Sequence, residues 1–359
     1  MDPDSPSPKI SLLLELTSRC NARCSYCYNP ARRTDELDTS KVLALIDKAV
    51  HEIAPYHMSF SGGEPLLRPD LPKLVRHAKE KALKVTVVTN GLLLNKARTT
   101  ELLESGVDLF QVTLLAADRA LHDRLEGGPF FERVVSSIAE LVNAGAQVAT
   151  SFVACKDNIA DFARTLELNA LLRVRRVQFC RFNPGGIGLA GWRSLLPSPD
   201  DVERALTSAS SVAVKYGISV FASVPLMPCL VNLDGLEGIY PGYCAVGDLE
   251  HRMFALDPLG NLKVCPHSAI TLGNAFKTPI PEMLRGRAYE EFVRSTPAFC
   301  VDCPHVAVCR GGCRSAGHLC FGSLREEDPF LALWKDRALA IKSRPDFSGR
   351  PVGRRACAV

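Results

Sequence analysis

Cys20-Asn21-Ala22-Arg23-Cys24-Ser25-Tyr26-Cys27 sets three thiols within eight residues, just after the apolar run Ile10, Leu12, Leu13, Leu14 and Leu16. The apolar run reads as a strand, so the thiols fall in the loop that follows it. Thiolates are the usual ligands of iron–sulfur clusters, and a protein-held [4Fe–4S] cluster normally takes four of them. No fourth cysteine lies nearby. Three corners of the cube would be held, and one iron left open for a ligand from outside the chain. A structural zinc loop is the competing reading. It asks for a fourth Cys or His close by, and none comes before His51.

Outward from this loop, strands and helices alternate. The first strand covers 9–16. Residues 39–54 show helical spacing (Val42, Leu45, Ile46, Ala49, Val50) with Thr39 or Ser40 as N-cap. A strand from Tyr56 to Phe60 runs into Ser61-Gly62-Gly63-Glu64-Pro65. Helices over 70–82, 95–105, 130–144 and 158–171 alternate with strands at Lys84–Thr89, Val107–Leu114, 147–154 and 174–181. An irregular Gly/Pro segment at 183–199 precedes a helix over 200–216. Six strand–helix repeats predict a parallel sheet closed or partly closed into a barrel, a partial (β/α)6 TIM-type α/β fold. Ligand sites in such folds collect at the C-terminal ends of the strands. The cysteine loop, Gly62-Gly63-Glu64, Asn90 and Thr113 follow or end strands one to four and are expected to share one mouth. Arg181 and Asn183 stand after strand six.

The composition is that of a globular chain: 359 residues, 47% hydrophobic and 23% charged. A net charge of +4 without a Lys/Arg-rich block gives no case for nucleic acid. No apolar h-region opens the chain and no run of eighteen apolar residues occurs, so neither a secretory signal nor a membrane span is expected and the reading is cytoplasmic. Fourteen cysteines without a signal peptide point to metal or redox chemistry rather than disulfides. Three lie in the opening loop and seven in a C-terminal group. Cys155 and Cys180 read as core thiols, and Cys229 and Cys357 have no assigned part.

The spacing Cys-x3-Cys-x2-Cys, with Tyr26 before the third cysteine, resembles the signature of the radical S-adenosylmethionine (SAM) enzymes. In that family the open iron chelates the amino and carboxylate groups of SAM, which implies cluster ligands Cys20, Cys24 and Cys27. Ser61 to Pro65 is similar to the family's Gly-Gly-Glu segment, implying that Gly62, Gly63 and Glu64 contact the SAM amino group. Asn90, Thr113 and Arg181 are further SAM contacts by position, and Asn183 or Arg181 is placed to reach the SAM carboxylate or the substrate. Many relatives carry Ser-Leu-Asp-Gly after strand four; here it is Thr113-Leu114-Leu115-Ala116, without the acid. His122-Asp123-Arg124-Leu125 followed by Gly127-Gly128 also resembles the family, and a surface helix start explains it equally well.

The C-terminal cysteines resemble a second pattern. Cys244 is followed by Gly260-x4-Cys265, then Cys300-x2-Cys303-x5-Cys309-x3-Cys313, then Cys320. This is similar to the SPASM extension of a large radical SAM branch, which holds two auxiliary [4Fe–4S] clusters. The resemblance implies Cys244, Cys265 and Cys313 for the first, with His267, Asp248, substrate or water as a fourth ligand. It implies Cys300, Cys303, Cys309 and Cys320 for the second. In many relatives the last cysteine lies further on, at a position that falls near Phe330. A pair of zinc knuckles is the alternative for this region. The expected domains are a disordered 1–8, a radical SAM core over 9–225, a SPASM domain over 226–325 and a tail over 326–359.

The resemblance implies that the reduced cluster cleaves SAM to a 5′-deoxyadenosyl radical, which abstracts a hydrogen atom from the substrate. Auxiliary clusters would accept the substrate's electron, making the net reaction an oxidation or cross-link. The substrate expected is a ribosomally made peptide in natural-product maturation. The alternatives are a small molecule (sugar, aminocyclitol, nucleoside or tetrapyrrole) or, in another class, a non-catalytic iron–sulfur or zinc scaffold. Implied partners are a one-electron reductant such as flavodoxin or ferredoxin and a separate leader-peptide-binding protein, because the first strand starts near residue 9.

Overall fold

A computed structural model describes residues 9–29, 34–248 and 250–349. The expected disordered N-terminus, Cys357 and the end of the tail lie outside the described residues.

Six strands form the expected parallel series: β1 (Lys9–Thr17), β2 (His57–Gly62), β3 (Lys84–Thr89), β4 (Leu109–Thr113), β5 (Val148–Ala154) and β6 (Arg176–Arg181). Two short parallel strands, β7 (Ser219–Ala222) and β8 (Ile239–Tyr240), extend the sheet beyond β6. On the far side of β1 lies β9 (His251–Leu256), parallel to it, then β10 (Asn261–Lys263) and β11 (Thr271–Asn274), both antiparallel. Among the described residues the result is one open sheet of eleven strands, a partial barrel whose edge is supplied by the cysteine-rich part of the chain.

The helices α1 (Thr39–Ile53), α2 (Leu71–Glu80), α3 (Lys96–Ser105), α4 (Arg119–Glu126), α5 (Phe131–Asn143), α6 (Phe162–Leu171), α7 (Trp192–Leu195) and α8 (Pro199–Tyr216) fill the crossovers. Strand alternation explains the packing. Leu12, Leu14, Met58, Phe60, Val85, Val87, Phe110 and Val112 come from one side of β1–β4 and are fully buried with α1, α2 and α5. At roughly 25 cal/mol per Å2, each such side chain contributes about 1.5–3 kcal/mol of burial. The opposite face is polar. Glu15 pairs in register with Ser61, and Gln111, Ser151 and Gln178 from β4, β5 and β6 hydrogen-bond to one another at 2.5–2.9 Å.

Local readings hold with three corrections. The cap of α1 is Asp38, whose Oδ1 accepts from Lys41 N, not Thr39 or Ser40. Residues 119–126 form the helix α4, but it is not simply a surface helix: His122, Leu125 and Glu126 on it are buried. The strands β7, β8 and β11 are only two to four residues long, too short for alternation to register.

Candidate active site

The cysteine loop leaves β1 at Thr17 and is held by three clamps, each from the C-terminal end of the sheet. The first is the Gly-Gly-Glu turn after β2. Gly63 N donates to Thr17 O (2.6 Å) and Glu64 N to Arg19 O (2.8 Å). Gly62 has φ +124°, and a Cβ on Gly63 would lie 2.1 Å from Arg19 O. Only glycine permits this approach. The second clamp is the end of α4: Arg23 N donates to Glu126 O and Ser25 N to Leu125 O, both at 3.0 Å. The third is the glycine segment after β6, where Gly188 N donates to Cys27 O at 3.0 Å and a Cβ on Gly186 would meet Tyr28 O at 2.2 Å.

Cys20, Cys24 and Cys27 are each half-buried on this fixed loop. Burial pushes the Cys24 thiol up, and the charges of Glu126, Cys27 and Cys20 push the same way, so the three sulfurs share one electrostatic site. Cys20 Sγ accepts from Ala22 N (3.5 Å) and stands 3.8 Å from Asn90 Nδ2, which donates to Asn21 Oδ1 at 2.8 Å. N–H groups directed at a thiolate favour its charged form and fix its orientation. Among the described residues no three His, Cys, Asp or Glu side chains converge as ligands of a single metal ion would. The donor set is three thiols in one glycine-cradled loop, and it fits a cluster with three protein-held corners.

Asn90 comes to the mouth because Glu64 holds it there. The Glu64 carboxylate is fully buried and accepts from Asn90 N (2.8 Å), Thr89 Oγ1 (2.8 Å) and Leu66 N (3.0 Å). Burial outweighs these bonds and raises its pKa to about 7. Thr113 ends β4 and is half-buried. The Arg181 guanidinium is fully buried, donates to Asp328 Oδ2 at 2.7 Å and lies 4.5 Å from the Phe330 ring, so it forms a joint with the C-terminal segment.

Sequence reasoning did not single out Glu126. It is fully buried beside Cys24, with His122 Nε2 3.4 Å from its Oε2 and no hydrogen bond to either side chain. Burial pushes Glu126 up to about 8 and His122 down to about 4, so at neutral pH the two meet as uncharged groups. A second polar group stands at the lumen. Tyr28 bonds to Glu15 and Ser61, packs on His267 at 4.7 Å, and Lys263 Nζ is 3.9 Å from Glu15.

The C-terminal cysteines fall into two sets, with none in a disulfide among the described residues. Cys244, Cys265 and Cys313 act on one another electrostatically. Cys265 Sγ lies 3.3 Å from Ser315 Oγ, Arg314 Nη2 3.5 Å from Cys244 Sγ, and Asn183 Nδ2 3.3 Å from Cys313 Sγ. Asn183 thus joins the end of β6 to this set. Asp248 is occupied in the turn before β9, accepting from Glu250 N and His251 N. The second set surrounds a pocket with about 300 Å3 of empty space, counting its opening to solvent. Cys300, Cys303 and Cys309 line it, and the fourth cysteine there is Cys229. Cys320, which the sequence pattern put in this set, does not line the pocket; its thiol feels Asp328 and Arg193 instead.

Comparison with known proteins decides the family. Residues 14–168 match the model of the Radical SAM superfamily. A PqqA peptide cyclase of Ruegeria pomeroyi is 30% identical, over 90% of this chain and 87% of its own length. The chain belongs to the radical SAM superfamily. It is therefore an enzyme of SAM and a [4Fe–4S] cluster. The PqqA peptide cyclase of Gluconobacter oxydans is 29% identical over 91% and 92% of the two chains. In fold, the radical SAM chain resembles Streptococcus suis SuiB bound to its precursor peptide SuiA (TM-score 0.73, 16% identity, 90% and 75% coverage). It also resembles anSMEcpe with bound AdoMet (TM-score 0.69, 16% identity, 93% and 99% coverage). No described helix is long and apolar enough to cross a membrane.

Proposed function

We propose that this enzyme is a radical SAM maturase that oxidatively cyclises or cross-links a ribosomally made peptide. The observation that carries the reading is the joint between Asn183 and Cys313, which sets a second group of cysteines at the end of β6, beside the mouth that the first loop occupies. Similarity to PqqA peptide cyclases along nearly the whole chain supports a peptide substrate.

In this reading Cys20, Cys24 and Cys27 hold the SAM-binding cluster. When bound, cluster and SAM supply one-electron cleavage to a carbon radical able to take a hydrogen atom from the substrate. The chain's own residues do the positioning. Gly62 and Gly63 bring backbone carbonyls close enough to accept from the SAM amino group. Glu64 fixes Asn90, and Asn90 and Thr113 line the entry. The Gly185–Gly188 segment holds the exit of the loop through Gly188 N and Cys27 O. The polar lumen face offers hydrogen bonds to a peptide backbone. Cys244, Cys265 and Cys313 hold one auxiliary cluster, and Cys300, Cys303 and Cys309 supply most of a second. Clusters held at these two sets would supply an acceptor for the electron that cyclisation releases. The domains follow as a core over 9–225 and an auxiliary region over 226–325, joined by the pairing of β9 with β1. An external one-electron reductant and a leader-binding partner complete the system.

The test is anaerobic incubation with SAM, reductant and a candidate precursor peptide, followed by mass spectrometry. The expected product is the same peptide lighter by about two hydrogen atoms per cross-link, by the stoichiometry of hydrogen abstraction. A peptide left unmodified while a small molecule is turned over contradicts the reading.

A further inference from the structure

We infer that Cys229 is the fourth ligand of the second auxiliary cluster, closing a site whose other three corners are Cys300, Cys303 and Cys309. The inference rests on the auxiliary-cluster reading given above. It deepens that reading by naming a ligand from outside the C-terminal cysteine string.

The four thiols line one pocket. Cys229 reaches it from Pro228-Cys229-Leu230, in the segment between β7 and β8, about seventy residues before Cys300. The Cys229 thiol feels the charges of Cys300 and Cys303, and that of Cys309 feels Cys229 and Cys300. The C-terminal segment also reaches the pocket, but with Leu331, an apolar side chain that cannot bind iron. Lys342 lies in the wall and donates to Phe299 O at 2.9 Å, placing a cation beside four ligands that are anionic when bound to iron. Four cysteine ligands leave no iron open. The pocket therefore suits an electron carrier and not a substrate-binding centre. The cluster also ties the last strands of the barrel to the C-terminal segment.

Iron and sulfide counting with Mössbauer spectra, on anaerobically purified full-length protein, tests this. Wild type is compared with Cys300→Ala, Cys229→Ala, Cys229→Ser and Cys320→Ala. Three clusters amount to about twelve iron atoms per chain. Cys300→Ala and Cys229→Ala should each lose between about one and four of them, the range from a three-iron remnant to an empty site. Cys229→Ser is nearly isosteric and should keep its fold while shifting the spectrum of one iron, because an oxygen replaces a sulfur ligand. Cys320→Ala should keep all its iron. If Cys300→Ala loses iron while Cys229→Ala keeps it and the Cys229→Ser spectrum matches wild type, Cys229 is a bystander and the assignment is overturned. If Cys300→Ala also keeps all its iron, the pocket holds no cluster, and the auxiliary reading falls with the assignment.

Discussion

At the scale of single residues, the site depends on groups that touch each other before they touch any ligand. Glu64 reads in the sequence as a partner for an ammonium, and its oxygens already accept from Leu66, Thr89 and Asn90. Through Asn90 N it also sets Asn90, whose Nδ2 faces Cys20 Sγ. Glu126 lacks such bonds and is the least compensated acid of the site. Its folded pKa is about 8 against an ordinary 4.5. The folded state therefore binds a proton that the unfolded state releases between those values. The resulting stabilisation is present below pH 4.5 and is lost as the pH rises through 8. Iron-stripped protein should lose up to a few kcal/mol from this group across that window. Glu126→Gln should flatten the slope, and urea unfolding at a series of pH values measures it. A variant with the wild-type slope would show that Glu126 does not titrate this way.

At the scale of elements, the strands were largely legible and the joints were not. Lys84–Thr89 is legible residue for residue because a β-branched run, Val85-Thr86-Val87-Val88-Thr89, stands between two helices and ends at Asn90-Gly91. The cysteine loop and the Gly-Gly-Glu turn were legible because rare residue types at fixed spacing carry their own chemistry. The ion pair of Arg181 was not legible because an arginine ending a strand gives no sign of Asp328, which lies far along the chain and is met only by folding. Cys229 was passed over for the same reason: it belongs to no local motif and meets Cys300, Cys303 and Cys309 only in three dimensions. The clamp by Gly63 is the contact that a single methyl group tests. Gly63→Ala puts a Cβ into the Arg19 carbonyl, a contact that backbone must move to relieve. The variant should lose the loop's cluster, about four iron atoms, while both auxiliary sets keep theirs. Full iron content with normal SAM affinity would show that the turn tolerates a side chain and clamps nothing.

At the scale of the whole molecule, the sheet and the ion pair make one body of barrel and auxiliary region. The strand β9 pairs with β1 from Lys9 to Leu14, the strand that delivers the cysteine loop. At the end of β6, Asp328 Oδ2 accepts from both Arg181 and Cys313 N, joining that strand to the first auxiliary set. Both partners of the ion pair are fully buried. Removing one partner of such a pair leaves a buried charge and typically costs about 3–5 kcal/mol. Arg181→Met should therefore lower thermal stability sharply while leaving the Cys20–Cys27 loop in place. An unchanged unfolding curve would show that the joint does not hold the two parts together.

The central claim is that Cys20, Cys24 and Cys27 hold the cluster that cleaves SAM, and 5′-deoxyadenosine formation tests it most directly. Anaerobic wild-type enzyme given SAM and a one-electron reductant should release 5′-deoxyadenosine. Cys20→Ala, Cys24→Ala and Cys27→Ala should each release none while retaining the iron of the auxiliary sets, about eight atoms per chain. Release at the wild-type rate from any one of the three variants would contradict the account.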